Sequence, residues 1–179
     1  VKMKIDTHRH FGGSISTECV WDIIRDNGML YLAGSLSDVE SAMVFSADEK
    51  PGFNSFLNKF RILDNIKWSE ELIDLSVKSV CDGLEDESID YCWMDFSINK
   101  YMNIGWHKRE AIKFMHDRFH HHRPNGVGLI LSLKYEDLKH TQREYAELID
   151  DPISELLFGI DVVGDETFFD AEFYSDVLR

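Results

Sequence analysis

Residues 126–133, GVGLILSL, decide how this chain folds. A strand with one wet face alternates apolar and polar side chains, and this run does not. An almost continuous apolar strand is covered on both faces, as in a parallel sheet flanked by helices. Working outward, three more segments read as strands: Met3 to His8, Tyr91 to Phe96 and Leu156 to Val163. Between and after them, Thr17–Asn27, Phe53–Leu63, Ser69–Leu84, Lys108–His122, Leu138–Ile149 and Phe168–Leu178 carry helical spacing. In the third of these, Leu72, Leu75, Val80 and Leu84 are expected on one side. Gly28 to Gly52 reads as an insertion with short helical pieces between strands one and two. The class is therefore α/β, built from parallel (βα) units. A full eight-unit barrel needs roughly 250 residues, so 179 residues match about half of one. A small open doubly wound sheet fits the same pattern. Either way residues 1–179 read as a single domain or half-domain.

Composition narrows the function. A formal net charge of -14 disfavours non-specific nucleic-acid binding, because a phosphate backbone would be repelled. A small anion in a local basic pocket remains compatible with it. Cys19, Cys81 and Cys92 contain no close pair, so neither a disulfide framework nor a C-x-x-C metal site is indicated. With no signal peptide and no long apolar run, the reading is a cytoplasmic protein that does not enter a membrane.

The chemistry is concentrated in residues 4–15, KIDTHRHFGGSI. His8 and His10 stand two apart at the end of the first strand, where residues i and i+2 share a face. Two imidazoles there are half of a metal site, and Gly12-Gly13 lets backbone approach a ligand. Functional side chains of parallel α/β folds gather at such strand ends. Residues 159–166, GIDVVGDE, put an acidic pair beyond the last strand; a helix N-terminus would also favour those carboxylates. Phe53, Phe56 and Phe60 in FNSFLNKF have core-like spacing, or form a lid over a flat heterocycle. His120-His121-His122 diverge around a helix and read as a solvated helix end. Lys134 ends the third strand, where a carboxylated lysine could bridge two metal ions in a different kind of hydrolase.

KIDTHRHFGGSI, FLNKF, DYCWMDFS, GVGLILSL and FGIDVVGDE, in this order, resemble the adenosine deaminases of the amidohydrolase superfamily. The resemblance implies the N-terminal half of a TIM-type (βα)₈ barrel, with a helical insertion between strands one and two. It implies Zn²⁺ as cofactor, with His8 and His10 as two of its ligands. Gly12, Gly13, Ser97, Gly164, Asp165 and Glu166 would line the substrate site, with Asp161 supporting the last strand end. Phe53, Phe56, Leu57 and Phe60 would form the lid. The implied reaction is hydrolytic deamination of an adenine nucleoside or nucleotide to the inosine form: water activated by zinc adds to the ring carbon, a carboxylic acid protonates the ring nitrogen and ammonia leaves. The catalytic glutamate and histidine of that family, its third zinc histidine and its zinc aspartate have no counterpart before Arg179. The chain alone is therefore expected to be inactive and to need a C-terminal half, from a separate chain or the parent protein. Open sheet edges make an oligomer the expectation. Gly12 stands where the family carries an aspartate for the ribose 5′-hydroxyl, which suggests a 5′-phosphorylated substrate. The competing reading is a non-catalytic deaminase-like module that binds a purine or a protein partner.

Overall fold

A computed structural model of the chain describes residues 2–50, 52–98, 104–134 and 146–164. Four strands, β1 (Ile5–His10), β2 (Tyr91–Phe96), β3 (Val127–Lys134) and β4 (Gly159–Val163), form one sheet in the order β1-β2-β3-β4. Every neighbouring pair is parallel. A doubly wound sheet reverses its strand order at a switch point, and none occurs among the described strands. Sequential parallel strands that curl under a helical cover are neighbouring staves of a barrel, and the fold is that of the N-terminal half of a (βα)₈ barrel.

The outer face of the sheet is the core. Cys92, Met94 and Phe96 of β2 and Leu129, Leu131 and Leu133 of β3 are buried there. Helices α1 (Phe11–Ser14), α2 (Thr17–Asp26), α3 (Leu36–Met43), α4 (Phe53–Asn58), α5 (Arg61–Asp64) and α6 (Glu70–Asp86) lie between β1 and β2, and α7 (Lys108–His122) lies between β2 and β3. The Ser69 hydroxyl caps α6 by accepting from the Leu72 amide, and Glu70 and Glu71 stand at the positive end of its dipole. Leu72, Ile73, Val77, Val80, Cys81 and Leu84 then bury one face, each larger aliphatic contributing about 1.5–3 kcal/mol. Leu75, expected in that stripe, is 53% exposed, and the small Ser76 takes the buried place beside it. On α7, Ala111, Ile112, Met115 and Phe119 are buried, and the Phe119 ring meets Phe11 edge-on at 5.8 Å.

Several boundaries move. β1 extends two residues past the expected His8, so both histidines belong to the strand. The expected helix over 53–63 is broken into α4 and α5. The insertion contains α3, capped by Ser35. The last strand begins at Gly159 rather than Leu156, because Leu156 closes a 3₁₀ turn over 152–156 that starts with Pro152 after the Asp151 cap. The helix expected over 168–178, most of the one over 138–149, and both Asp165 and Glu166 lie outside the described residues. His120 and His121 are exposed as expected, whereas His122 turns inward and its Nε2 lies 2.8 Å from Asp74 Oδ1. At the lower end of the inner face Gly128 leaves room for the Tyr91 hydroxyl, which a Cβ there would meet at 2.6 Å.

Candidate active site at the strand ends

The site begins with an irregularity in β1. Asp6 pairs with Cys92, but Arg9 pairs with Met94, so two residues of β1 stand opposite one of β2. This is a β-bulge at Thr7-His8, and it re-aims the side chains beyond it. Asp6 and Arg9 come to share the outer face, where Arg9 Nε donates to Asp6 Oδ2 at 2.8 Å. Two further bonds, of 2.9 and 2.8 Å, run from the Arg9 guanidinium to both carboxylate oxygens of Glu87 at the end of α6. This fork holds the Glu87 carboxyl below its usual range and the Arg9 guanidinium further above its own. The bulge frees the His8 amide, which donates to Asp6 Oδ1 at 3.2 Å.

His8 and His10 project together. Their Nε2 atoms are 3.2 Å apart, with the rings edge to face at a centroid distance of 4.9 Å. Two nitrogens bound at 2.0–2.1 Å to one tetrahedral ion would lie about 3.3–3.4 Å apart, so the spacing suits a shared metal. His10 pairs in register with Asp95 of β2, and Asp95 pairs with Ile130 of β3. Two residues on, Ser132 pairs with Asp161 of β4. Alternation therefore brings His10, Asp95 and Asp161 to the same inner face. Asp95 Oδ2 is 3.7 Å from His8 Nδ1. One ligand atom each from His8, Asp95 and Asp161 lie within 4.8 Å of one another.

Asp95 is the most unusual residue of the group. It is 1% exposed, and among the described residues neither of its carboxylate oxygens has a hydrogen-bond partner. Burial pushes its carboxyl above the usual carboxylate range, and nearby Asp161 adds to this, while His10 and His8 oppose it. The buried Ser132 hydroxyl next to Asp161 likewise has no hydrogen-bond partner among the described residues. These orphaned oxygens and the paired imidazoles fit a borderline cation such as zinc.

The other expected site residues are distributed as follows. Gly12 and Gly13 lie in α1, directly after β1. A Cβ on Gly13 would stand 3.5 Å from the Phe60 ring, which brings the end of the lid segment against this turn. Phe53, Phe56 and Leu57 of α4 are roughly half exposed, and Phe56 meets Phe60 at 5.2 Å. The segment is tethered by buried Lys59, whose ammonium donates to Glu49 at 2.7 Å. Ser97 directly follows β2. Gly164 directly follows β4 with φ 145°, a conformation that favours glycine. Lys134 is exposed and pairs with Val163, two residues beyond Ser132. Sequence reading missed Asp95 as a site residue. Its signal was a lone carboxylate inside the otherwise apolar YCWMDF strand, which only register places opposite His10.

No family model and no curated protein sequence matches the chain. Solved structures do match its fold. An adenine deaminase from Arthrobacter aurescens superposes with a TM-score of 0.70 at 11% identity, covering 94% of this chain and 50% of that one. An amidohydrolase from Burkholderia ambifaria with bound Zn gives 0.74 at 12%, covering 99% and 48%. The N6-methyl-AMP deaminase from Arabidopsis thaliana gives 0.74 at 17%, covering 98% and 53%. The chain thus has the fold of one half of these deaminase and amidohydrolase barrels and spans about half their length. Among the described residues, no helix is long and apolar enough to cross a membrane.

Proposed function

We propose that this chain is the metal-binding N-terminal half of an adenosine-deaminase-like hydrolase, which converts an adenine nucleoside or nucleotide to its inosine form once a C-terminal barrel half is present. The observation that carries this reading is the pairing of the His8 and His10 imidazoles, 3.2 Å apart, at the mouth of a half barrel. The fold shared with deaminases supports it.

A bound zinc would supply Lewis acidity and a water whose pKa is lowered to ~7. His8 and His10 would hold that ion on the inner face. Gly164, in extended-to-left-handed geometry at the end of β4, would offer backbone to the purine edge, with Asp165 and Glu166 beyond it. Ser97 and the Gly12-Gly13 turn would border the ligand. Phe53, Phe56, Leu57 and Phe60 would close over the base and exclude water from the addition step. Proton transfer to the ring nitrogen would fall to a carboxylic acid of the completing half.

A 5′-nucleotide is the favoured substrate. No carboxylate stands at Gly12 to repel a phosphate, and a structural neighbour from Arabidopsis has been crystallised with IMP, at a TM-score of 0.75 and 17% identity. The test is to combine the chain with a C-terminal half, supplied in trans or as the parent protein, and follow ammonia release from AMP and from adenosine. Zinc content and turnover should both collapse in His8→Ala, by about 100-fold or more in turnover. Full activity in His8→Ala would end this reading; adenosine turnover without AMP turnover would end the nucleotide assignment. A non-catalytic purine-binding module predicts binding of either ligand with no ammonia released under any pairing.

A further inference from the structure

We infer that Asp95 is itself a metal donor, and that with His8, His10 and Asp161 it gives this chain a divalent-cation site that needs no other polypeptide. The inference rests on the deaminase-type reading and deepens it, because that reading requires only the two histidines from this half.

Three observations converge. First, the Asp95 carboxylate is 1% exposed and neither oxygen has a hydrogen-bond partner among the described residues. An ionised carboxylate buried without a partner is costly, and proteins resolve such cases by protonating the group, by pairing it or by giving it a metal. Secondly, its aim is specific. Oδ2 lies 3.7 Å from His8 Nδ1, too long for a hydrogen bond. The gap suits two donors on one ion with bonds of about 2.0–2.2 Å, which are separated by roughly 3.3 Å at tetrahedral angles and 4.2 Å at most. Thirdly, four donors gather on one face. Donor atoms of His8, Asp95 and Asp161 lie within 4.8 Å of one another, and His10 Nε2 stands 3.2 Å from His8 Nε2, on the other side of the ring from the Nδ1 that faces Asp95. The His8 side chain is 61% exposed, so its ring is free to turn and present either nitrogen. Two neutral imidazoles and two carboxylates give four donors and balance a divalent charge. The donors come from β1, β2 and β4, so the site forms when those staves assemble and would report on that assembly.

The experiment titrates Co²⁺ into the metal-free 179-residue chain, read by its visible ligand-field bands and by competition with Zn²⁺. Uptake at one ion per chain is expected. Asp95→Asn should weaken it about tenfold or more and change the band pattern, Asp161→Asn should weaken it less, and Asp95→Glu should recover part of the affinity. Far-UV circular dichroism should match the parent in each case. If Asp95→Asn fails to fold, the smaller Asp95→Ser takes its place. Parental affinity and spectrum in the Asp95 variant would overturn the inference. So would a chain that takes up no Co²⁺ until a C-terminal barrel half is added; the proposed function would then survive without it. No uptake in either form would remove both.

Discussion

The two faces of β1 treat charge in opposite ways. On the outer face, Arg9 is held by Asp6 and, through both guanidinium ends, by Glu87, so every charge has a partner. On the inner face, a few ångströms along the same strand, His8 and His10 look onto Asp95, whose oxygens have no hydrogen-bond partner among the described residues and whose nearest imidazole nitrogen is 3.7 Å away. The bulge at Thr7-His8 separates the two groups, sending Asp6 and Arg9 one way and His10 the other. Compensated charge fastens the strand to α6. Uncompensated charge costs stability and is kept where a ligand can supply the missing partner.

The contrast can be broken by substitution. His10→Ala should have the largest effect, lowering metal affinity of the chain by about 100-fold while leaving the melting temperature of the metal-free form nearly unchanged, since that side chain is exposed. Unaltered affinity by isothermal calorimetry would show that the inner face is not a metal face. Arg9→Met should do the reverse. Metal affinity should change little, but loss of the fork should cost about 1–2 kcal/mol, discounted for the half-exposed Glu87 side, and lower the melting temperature by roughly 2–8 °C. Asp95→Asn should raise the melting temperature of the metal-free chain by about 2–4 °C, because it removes an unpartnered buried charge. A fall instead would mean that the carboxylate has a stabilising partner.

Acid sharpens the same comparison with a smaller signal. Glu87 has a depressed folded-state pKa, so its contribution is present above its unfolded value and is lost as pH falls through the folded one. Asp95 has a raised folded-state pKa, so it favours the fold most below its unfolded value, and that contribution is lost as pH rises through the folded one. Stability of the parent below about pH 4.3, measured by urea melts, should therefore fall more steeply than that of Arg9→Met. Parallel slopes would show that the outer cluster is not coupled to Glu87.

Much of this was legible from the chain itself. An unalternating run at 126–133 and its helical neighbours specify a parallel, helix-covered sheet, because burial on both faces removes the need for polar alternation. His8 and His10 were visible as a same-face pair because strand periodicity is local. What local pattern could not supply was the level of one strand against the next. Asp95 sits among Tyr91, Cys92, Trp93, Met94 and Phe96 with nothing beside it in sequence to mark it, and only register sets it opposite His10 and on the face of Asp161. The bulge is equally invisible, since it exists only as a mismatch between two strands. The sequence by itself determined the kinds of element and half of the proposed donor set. The tertiary structure decided the strand order, and through register it decided which carboxylates face the imidazoles.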